Sequence, residues 1–97
     1  MSLPVVLTQE AETDFDGAAD WYQEQAGLGA KFTAHVRDAL IQIGQMPESH
    51  AILHRNVRRA QVQGFPYNVY FRVGADRVEV IAVLHGRRDP STWKSRA

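Results

Sequence analysis

The chain of 97 residues contains no cysteine. This absence excludes disulfide bridges, thiolate nucleophiles and thiolate metal sites, and it fits a reducing compartment. No apolar run approaches the length that would cross a membrane, and no basic segment at the N-terminus precedes an apolar one. The length suits one small domain, so we expect a single domain over residues 1–97 that is cytoplasmic and has no membrane partner.

The net charge of zero hides an uneven distribution along the chain. Residues 1–48 carry eight acidic and two basic side chains, whereas residues 49–97 carry three acidic and nine basic ones. Such a division predicts one acidic and one basic surface, and the basic surface suits a polyanionic or acidic partner. Ordinary solvated charge is the alternative interpretation.

The first half of the chain has the pattern of a strand followed by two helices. Residues 4–8 predict a short strand, after which Thr8 can cap a helix over residues 9–25. A second helix is predicted over residues 29–46, because apolar side chains recur on one face and Pro47 ends the run. The short link between the helices predicts an antiparallel hairpin. Residues 47–56 have the character of a loop.

The second half changes to strand periodicity. We predict strands over residues 57–63, 67–73 and 77–85, and the last is central because it is apolar on both faces. The tail from Gly86 onwards is basic. The predicted fold class is therefore α+β: an N-terminal strand, and an antiparallel helical hairpin packed on a mostly antiparallel sheet with three C-terminal strands.

Two C-terminal segments resemble a known family. The run Phe65-Pro66-Tyr67-Asn68-Val69-Tyr70-Phe71-Arg72-Val73 is similar to the third strand of ParE-type toxins. The run Val80-Ile81-Ala82-Val83-Leu84-His85-Gly86-Arg87-Arg88-Asp89-Pro90, followed by Trp93, resembles their last strand and tail. In the first half, Ala18-Ala19-Asp20-Trp21-Tyr22 and Met46-Pro47 are also similar. The resemblance to the RelE/ParE superfamily, of ParE type, covers nearly the whole chain in order.

This resemblance implies the toxin of a type II toxin–antitoxin (plasmid-stabilisation) pair, neutralised by a cognate ParD-like antitoxin in a hetero-oligomer. ParE-type members poison DNA gyrase, whereas RelE-type members share the fold and cut messenger RNA on the ribosome. The fold alone does not choose between the two activities. A regulatory interaction domain without toxicity is the third alternative.

Ribonuclease chemistry of the RelE kind needs groups that move protons and cations that stabilise the phosphate. The family pattern places basic residues on two strands and an arginine and a tyrosine near the C-terminus. In this chain the third-strand arginine position is Asn68, and Trp93 stands near the tyrosine position, where its indole cannot act as acid or base. We therefore expect no catalytic residues, no cofactor and a toxin that acts by binding.

The candidate residues for target binding are basic or lie beside basic residues: Arg58, Arg59, His85, Arg87, Arg88 and Trp93. Arginines there could bind phosphate or an acidic protein surface. The alternatives are solvation or a weak ion pair with Asp89 or Glu79. We prefer binding for Arg87 and Arg88, and one of these alternatives for Arg58. For His85, which ends the central strand, we prefer a side-chain hydrogen bond that closes the strand over a role as general base.

Two apolar side chains lie off the main stripes of their helices. Trp21 and Ile41 are therefore candidates for partner binding, although a lone surface hydrophobe is an equal alternative. His50 and His54 are four residues apart in a predicted loop, where that spacing defines no shared face. We expect no metal site from them.

Overall fold

The structure, a computed structural model, describes residues 2–97. It contains five strands, three α-helices and one turn of 3-10 helix. The elements in chain order are β1 (Val5–Leu7), α1 (Gln9–Ala26), α2 (Gly29–Gln45), the 3-10 turn (Pro47–Ser49), β2 (Ile52–His54), β3 (Val57–Gln61), β4 (Tyr67–Val73), β5 (Val78–His85) and α3 (Pro90–Lys94). No helix within residues 2–97 combines the length and the apolar character that a membrane span requires.

The two long helices form the predicted hairpin. The Thr8 hydroxyl accepts a hydrogen bond from the Ala11 amide and caps α1, as its position in the sequence predicted. Gly27 ends α1 with φ of 67°, a left-handed conformation that glycine adopts without steric cost. The turn is then held by the Gln23 side chain, which accepts from the Gly29 amide.

The strands form one sheet in the order β1-β5-β4-β3-β2. Only β1 and β5 are parallel, and the other three pairings are antiparallel. The predicted α+β architecture is therefore confirmed, with β5 inside the sheet as its apolar character on both faces predicted. A register shift between Tyr70 and Phe71 leaves Ile81 without an opposite residue, which makes a bulge in β5.

Residues 47–56 are not simply a loop, and that prediction was wrong. Pro47–Ser49 form the 3-10 turn, and Ile52–His54 add β2 as a fifth strand beside β3. The Arg58 guanidinium donates to the Glu48 and His50 carbonyls, at 3.3 and 2.6 Å, and fixes the turn against the sheet. A strand of three residues has too short an alternation to be recognised from sequence.

The two faces of the sheet carry separate cores. The larger core lies under α1 and α2 and includes Phe32, Phe71 and Val80. Five aromatic side chains belong to this core or pack against it: Phe15, Tyr22, Phe32, Tyr67 and Phe71. The opposite face carries a smaller core, in which Tyr70 and Leu84 meet Trp93 of α3.

Candidate functional site

A groove runs between α1 and the outer edge of β5. The strand β1 ends at Leu7, opposite Val80, so in the described part of the chain β5 has no neighbouring strand on that side from Ile81 onwards. The helix passes over this edge and presents Asp14, Gly17 and Trp21, whose spacing of three and four places them on one face. The open edge and this helix face therefore form the two walls of the groove.

The ion pair between Asp14 and Arg96 closes one end of the groove, and both side chains form hydrogen bonds to the backbone of β5. The Asp14 carboxylate accepts from the Val83 amide at 3.1 Å and from the Arg96 guanidinium at 2.6 Å. The same guanidinium donates to the Ile81 carbonyl at 3.1 Å. The two side chains are 13% and 17% exposed, so the pair is largely withdrawn from water. It occupies the hydrogen-bonding positions that an additional strand would take.

The other end of the groove is open and aromatic. Trp21, Tyr67, His85 and Arg88 line its walls, and Leu84 adds to its floor. Two adjoining cavities of about 310 and 470 Å³ make up the space. The Tyr67 and His85 rings meet edge to face with centroids 5.5 Å apart. The groove can therefore accept an apolar or aromatic group beside a cation.

The charge of Arg88 reaches the aromatic wall of the groove. Burial raises the pKa of the Tyr67 hydroxyl, the nearby Tyr22 raises it further, and the Arg88 guanidinium lowers it in part. Burial also raises the pKa of Tyr22. Both phenols stay protonated at neutral pH because their ordinary pKa is already near 10. They act in the groove as neutral hydrogen-bonding and packing groups.

His85 and the two arginines after it form a turn at the end of β5. The Arg88 amide donates to the His85 carbonyl at 2.9 Å. The Arg87 amide donates to Nδ1 of His85 at 3.0 Å, which is the strand-closing hydrogen bond that the sequence analysis preferred. Both arginine side chains are exposed. Neither forms an ion pair within residues 2–97, because Glu79 pairs with Arg72 and Asp89 caps α3.

The arginines of β3 face opposite sides of the sheet. Arg58 is half-buried and donates to the Glu48 and His50 carbonyls, a backbone role that differs from the solvation or weak ion pair preferred for it from the sequence. Arg59 is exposed and lies opposite Tyr70 on the face that carries the smaller core. Its position is two strands away from β5, so it does not join the groove.

Trp93 is not a surface residue, and its prediction as a contact for the target is corrected. It is 5% exposed and stacks on Tyr70 with centroids 4.8 Å apart and planes at 15°. The His54 ring meets it at its edge, 6.1 Å away. The tail folds as α3 because the Asp89 side chain accepts from the Ser91 amide and Pro90 occupies the first helical position. Trp93 thereby covers the smaller core.

The two partner-binding candidates are exposed at separate places. Trp21 is 55% exposed and packs edge to face on Tyr22 at the groove. Ile41 is 58% exposed and lines a shallow apolar cavity of about 300 Å³ between α2 and the N-terminal segment, with Leu3 and Val5. Trp21 and Ile41 therefore lie on two different surfaces of the domain.

Asn68 and Trp93, which stand at or near the arginine and tyrosine positions of the RelE pattern, lie on the sheet face that carries the smaller core. Asn68 donates to the Tyr70 hydroxyl at 3.4 Å, and the stacked Trp93 fills the space beside it. Within residues 2–97, no three histidine or acidic side chains converge as metal ligands would. The exposed arginines, the aromatic rings and the open strand edge are groups that a second molecule could contact.

Two elements of the site escaped the sequence analysis. The Asp14–Arg96 pair joins residues 82 positions apart, and no local spacing signals it. Tyr67 was not among the candidate residues, although it is half-buried and lines the groove. Asp14 on the helix face and Arg96 in the tail are both evident in the sequence, but the ion pair between them forms only in the tertiary fold.

Comparison with known proteins gives a consistent result. The family described as ParE toxin of type II toxin-antitoxin system, parDE, matches residues 5–90. A solved structure titled "Chromosomal ParDE TA system from P. aeruginosa" contains a similar chain, with a TM-score of 0.65 and 19% identity; the match covers 87% of this chain and 96% of that one. At that identity the likeness supports the fold. No curated protein matches the sequence.

Proposed function

The chain belongs to the ParE toxin family of type II toxin–antitoxin systems, and from that membership we propose that it stops growth by binding DNA gyrase in the cytoplasm. A cognate ParD-like antitoxin would neutralise it by forming a stable complex. The family supports the antitoxin partner directly. The choice of gyrase over ribosome-bound message depends on the residues of this chain.

The observation that carries this choice is the burial of Trp93 on the sheet face opposite the two long helices. A ribonuclease would need exposed cations and a proton-transferring group there. Trp93 and Tyr70 instead stack at 5% and 4% exposure, and Asn68 takes the place of a strand arginine. Arg59 of β3 is exposed on this face, and Arg87 is exposed in the turn after β5. A binding toxin needs such charges without a catalytic set.

Inducible expression in a bacterial host tests the toxin itself. Expression of the chain alone should reduce colony formation by orders of magnitude, and co-expression of the antitoxin from the neighbouring gene should restore it. A destabilised variant such as Trp93→Ala serves as the negative control. Unimpaired growth with soluble, folded wild-type protein would favour a regulatory domain without toxicity.

Primer extension on abundant messages in the same cells separates the two targets. Under the gyrase proposal, message from arrested cells shows no codon-phased cuts, whereas relaxed plasmid or trapped gyrase–DNA complexes accumulate. Codon-phased cleavage with normal plasmid supercoiling would instead establish the ribonuclease.

A further inference from the structure

We propose that the outer edge of β1 and the apolar cavity beside it bind a second copy of this chain, by antiparallel pairing of the two β1 strands across a two-fold axis. The inference goes beyond the proposed function, because it concerns how the toxin associates with itself. It also gives a role to Ile41, which lies at this cavity and away from the groove between α1 and β5. The main chain, the apolar side chains and the charges of this surface each support it.

The main chain of β1 presents two residues to the outside of the sheet. The Pro4 carbonyl and the Thr8 amide form hydrogen bonds to β5, at 2.9 and 3.0 Å. Because successive residues of a strand alternate in direction, the amides and carbonyls of Val5 and Leu7 point away from β5. Within residues 2–97, β1 has no strand on its outer side, and no loop or turn backbone bonds these four groups. The edge is therefore open to another strand.

The outward groups of β1 are complementary to themselves. When the two-fold axis passes beside Val6, Val5 lies opposite Leu7 of the second copy, and the two residues exchange both amide-to-carbonyl hydrogen bonds. The axis repeats this pair, so the five-stranded sheets of the two copies become continuous. Val6 meets its own copy at the kind of pair that brings side chains closest together, and its side chain is 38% exposed in the single chain. One register therefore satisfies the main chain and covers Val6.

The same register covers the apolar cavity. Leu3, Leu40 and Ile41 line this cavity of about 300 Å³ where the end of α2 meets the N-terminal segment, and Ile41 is 58% exposed. The helix approaches the segment so closely because Gly44 has no side chain: a Cβ atom there would lie 2.9 Å from the Leu3 carbonyl oxygen. Continuing the pairing by two residues places Gln9 of the second copy opposite Leu3. The first turn of its α1 therefore lies over the cavity.

The charges of this surface favour a second copy over an acidic peptide. Ser2, Gln45 and the apolar side chains that line the cavity carry no charge, so no cation there selects an acidic partner. An uncharged surface can face its own copy without repulsion between like charges. Each copy contributes a strand of only three residues, and such a small interface should dissociate at micromolar concentrations.

Sedimentation velocity on the full chain, free of antitoxin, tests the dimer. Between about 1 and 200 µM the mass should rise from 10.9 kDa towards twice that value. Ile41→Glu should weaken the dimer about tenfold or more, because its carboxylate would face the acidic first turn of α1 in the second copy. Ile52→Glu makes the same change at a side chain of similar exposure, 56%, on the opposite edge of the sheet, and should dimerise like the wild type. A mass of 10.9 kDa at every concentration, or equal losses for two variants with wild-type melting temperatures, would overturn the proposal.

Amide hydrogen exchange at low and high protein concentration locates the paired strand. The Val5 and Leu7 amides should exchange more slowly as the dimer forms, because each gains a hydrogen bond. The Val6 amide, which faces β5 in the single chain, should change little. Dimerisation without slower exchange at Val5 and Leu7 would place the interface elsewhere and reject the proposal.

A single cysteine provides the closing test, since the chain has none of its own. In the proposed register the two Val6 Cα atoms lie about 4.5 Å apart, within the span of a disulfide, about 4.4–6.8 Å. Val6→Cys should therefore form a disulfide-linked dimer under mild oxidation at least about tenfold faster than Ile52→Cys. Equal rates of cross-linking for the two variants would contradict the register. None of these readouts depends on gyrase or on toxicity, so a harmless chain that forms this dimer would remove the proposed function alone.

Discussion

The two tryptophans lie in environments that differ in almost every respect. Trp93 is 5% exposed and stacks on Tyr70, and the tail to which it belongs is held at the edge of β5 by Arg96. Trp21 is 55% exposed at the mouth of the groove, near an arginine that has no ionic partner in residues 2–97. One ring completes a core, and the other remains available to a second protein.

The arginines in the basic half of the chain divide in a similar way, into those bound within the fold and those exposed to solvent. Arg58, Arg72 and Arg96 are bound to backbone carbonyls or carboxylates of their own fold. Arg87 and Arg88 are exposed, and their side chains form no such bonds to any residue from 2 to 97. A charge whose hydrogen bonds are satisfied internally is poorly suited to recognition, whereas an unpaired charge on a rigid turn is well suited to it.

Replacing the two tryptophans should give the largest contrast in stability. Trp93→Ala should lower the free energy of unfolding by about 3–5 kcal/mol, because it leaves a cavity in the smaller core. Trp21→Ala should cost less than about 1 kcal/mol, since half of the ring is already exposed. Urea unfolding followed by far-UV circular dichroism measures both. Similar losses of unfolding free energy for the two variants would contradict the different roles of the two tryptophans.

Removing the ion pair at the edge of β5 should have the next largest effect. Arg96→Met leaves Asp14 charged and largely buried without its cation, which should cost about 1–3 kcal/mol of unfolding free energy. Arg72→Met breaks the more exposed pair with Glu79, where the side chains are 34% and 28% exposed, and should cost below about 1 kcal/mol. Urea titrations at equal ionic strength compare them. A larger loss for Arg72→Met would show that the tail contributes little to the fold.

A smaller effect concerns the cap of α3. Hydrogen bonds from the Ser91 backbone and side chain lower the pKa of the Asp89 carboxyl. Because the folded-state pKa is below the unfolded one, this stabilisation is present above the unfolded pKa and is lost as the pH falls through the folded pKa. Asp89→Ala should therefore lower the melting temperature at pH 7, and this loss should shrink as the pH falls through the folded-state pKa of Asp89. Asp76→Ala, at an exposed hairpin position, is the control; the same pH dependence in both would contradict a specific cap.

The smallest effect on stability is expected for the turn after β5. The double variant Arg87→Ala and Arg88→Ala should unfold within about 0.5 kcal/mol of the wild type, because exposed charges add little to folding. Its toxicity should nevertheless fall sharply, since a charge pair desolvated at an interface costs roughly 2–5 kcal/mol when truncated. A large drop in melting temperature together with lost toxicity would assign these arginines to the fold instead.

The sequence predicted the parts of this molecule that depend on local patterns. Helix periodicity, the Thr8 cap and the alternation in β4 were sufficient for the α+β architecture and for most of the core. The strand β2 and the helix α3 were missed because each is short. The burial of Trp93 could not be derived, because a tryptophan in a basic tail gives no periodic signal.

Only the part of the candidate site that depends on local sequence patterns was predicted. Arg87, Arg88 and Trp21 follow from composition and helical position, and the structure places Arg88 and Trp21 at one groove. The groove itself arises where β1 stops short of the end of β5. That mismatch in strand length, and the Asp14–Arg96 pair that covers part of it, exist only in the assembled fold.

The most direct test of the account is a supercoiling assay with purified DNA gyrase. Wild-type toxin should inhibit supercoiling of relaxed plasmid or trap cleaved DNA at stoichiometric concentrations, and the antitoxin should reverse the effect. The variant with Arg87→Ala and Arg88→Ala should inhibit far less while remaining folded. Full supercoiling activity at saturating wild-type toxin, with cleavage of ribosome-bound message by the same preparation, would contradict a toxin that acts by binding gyrase.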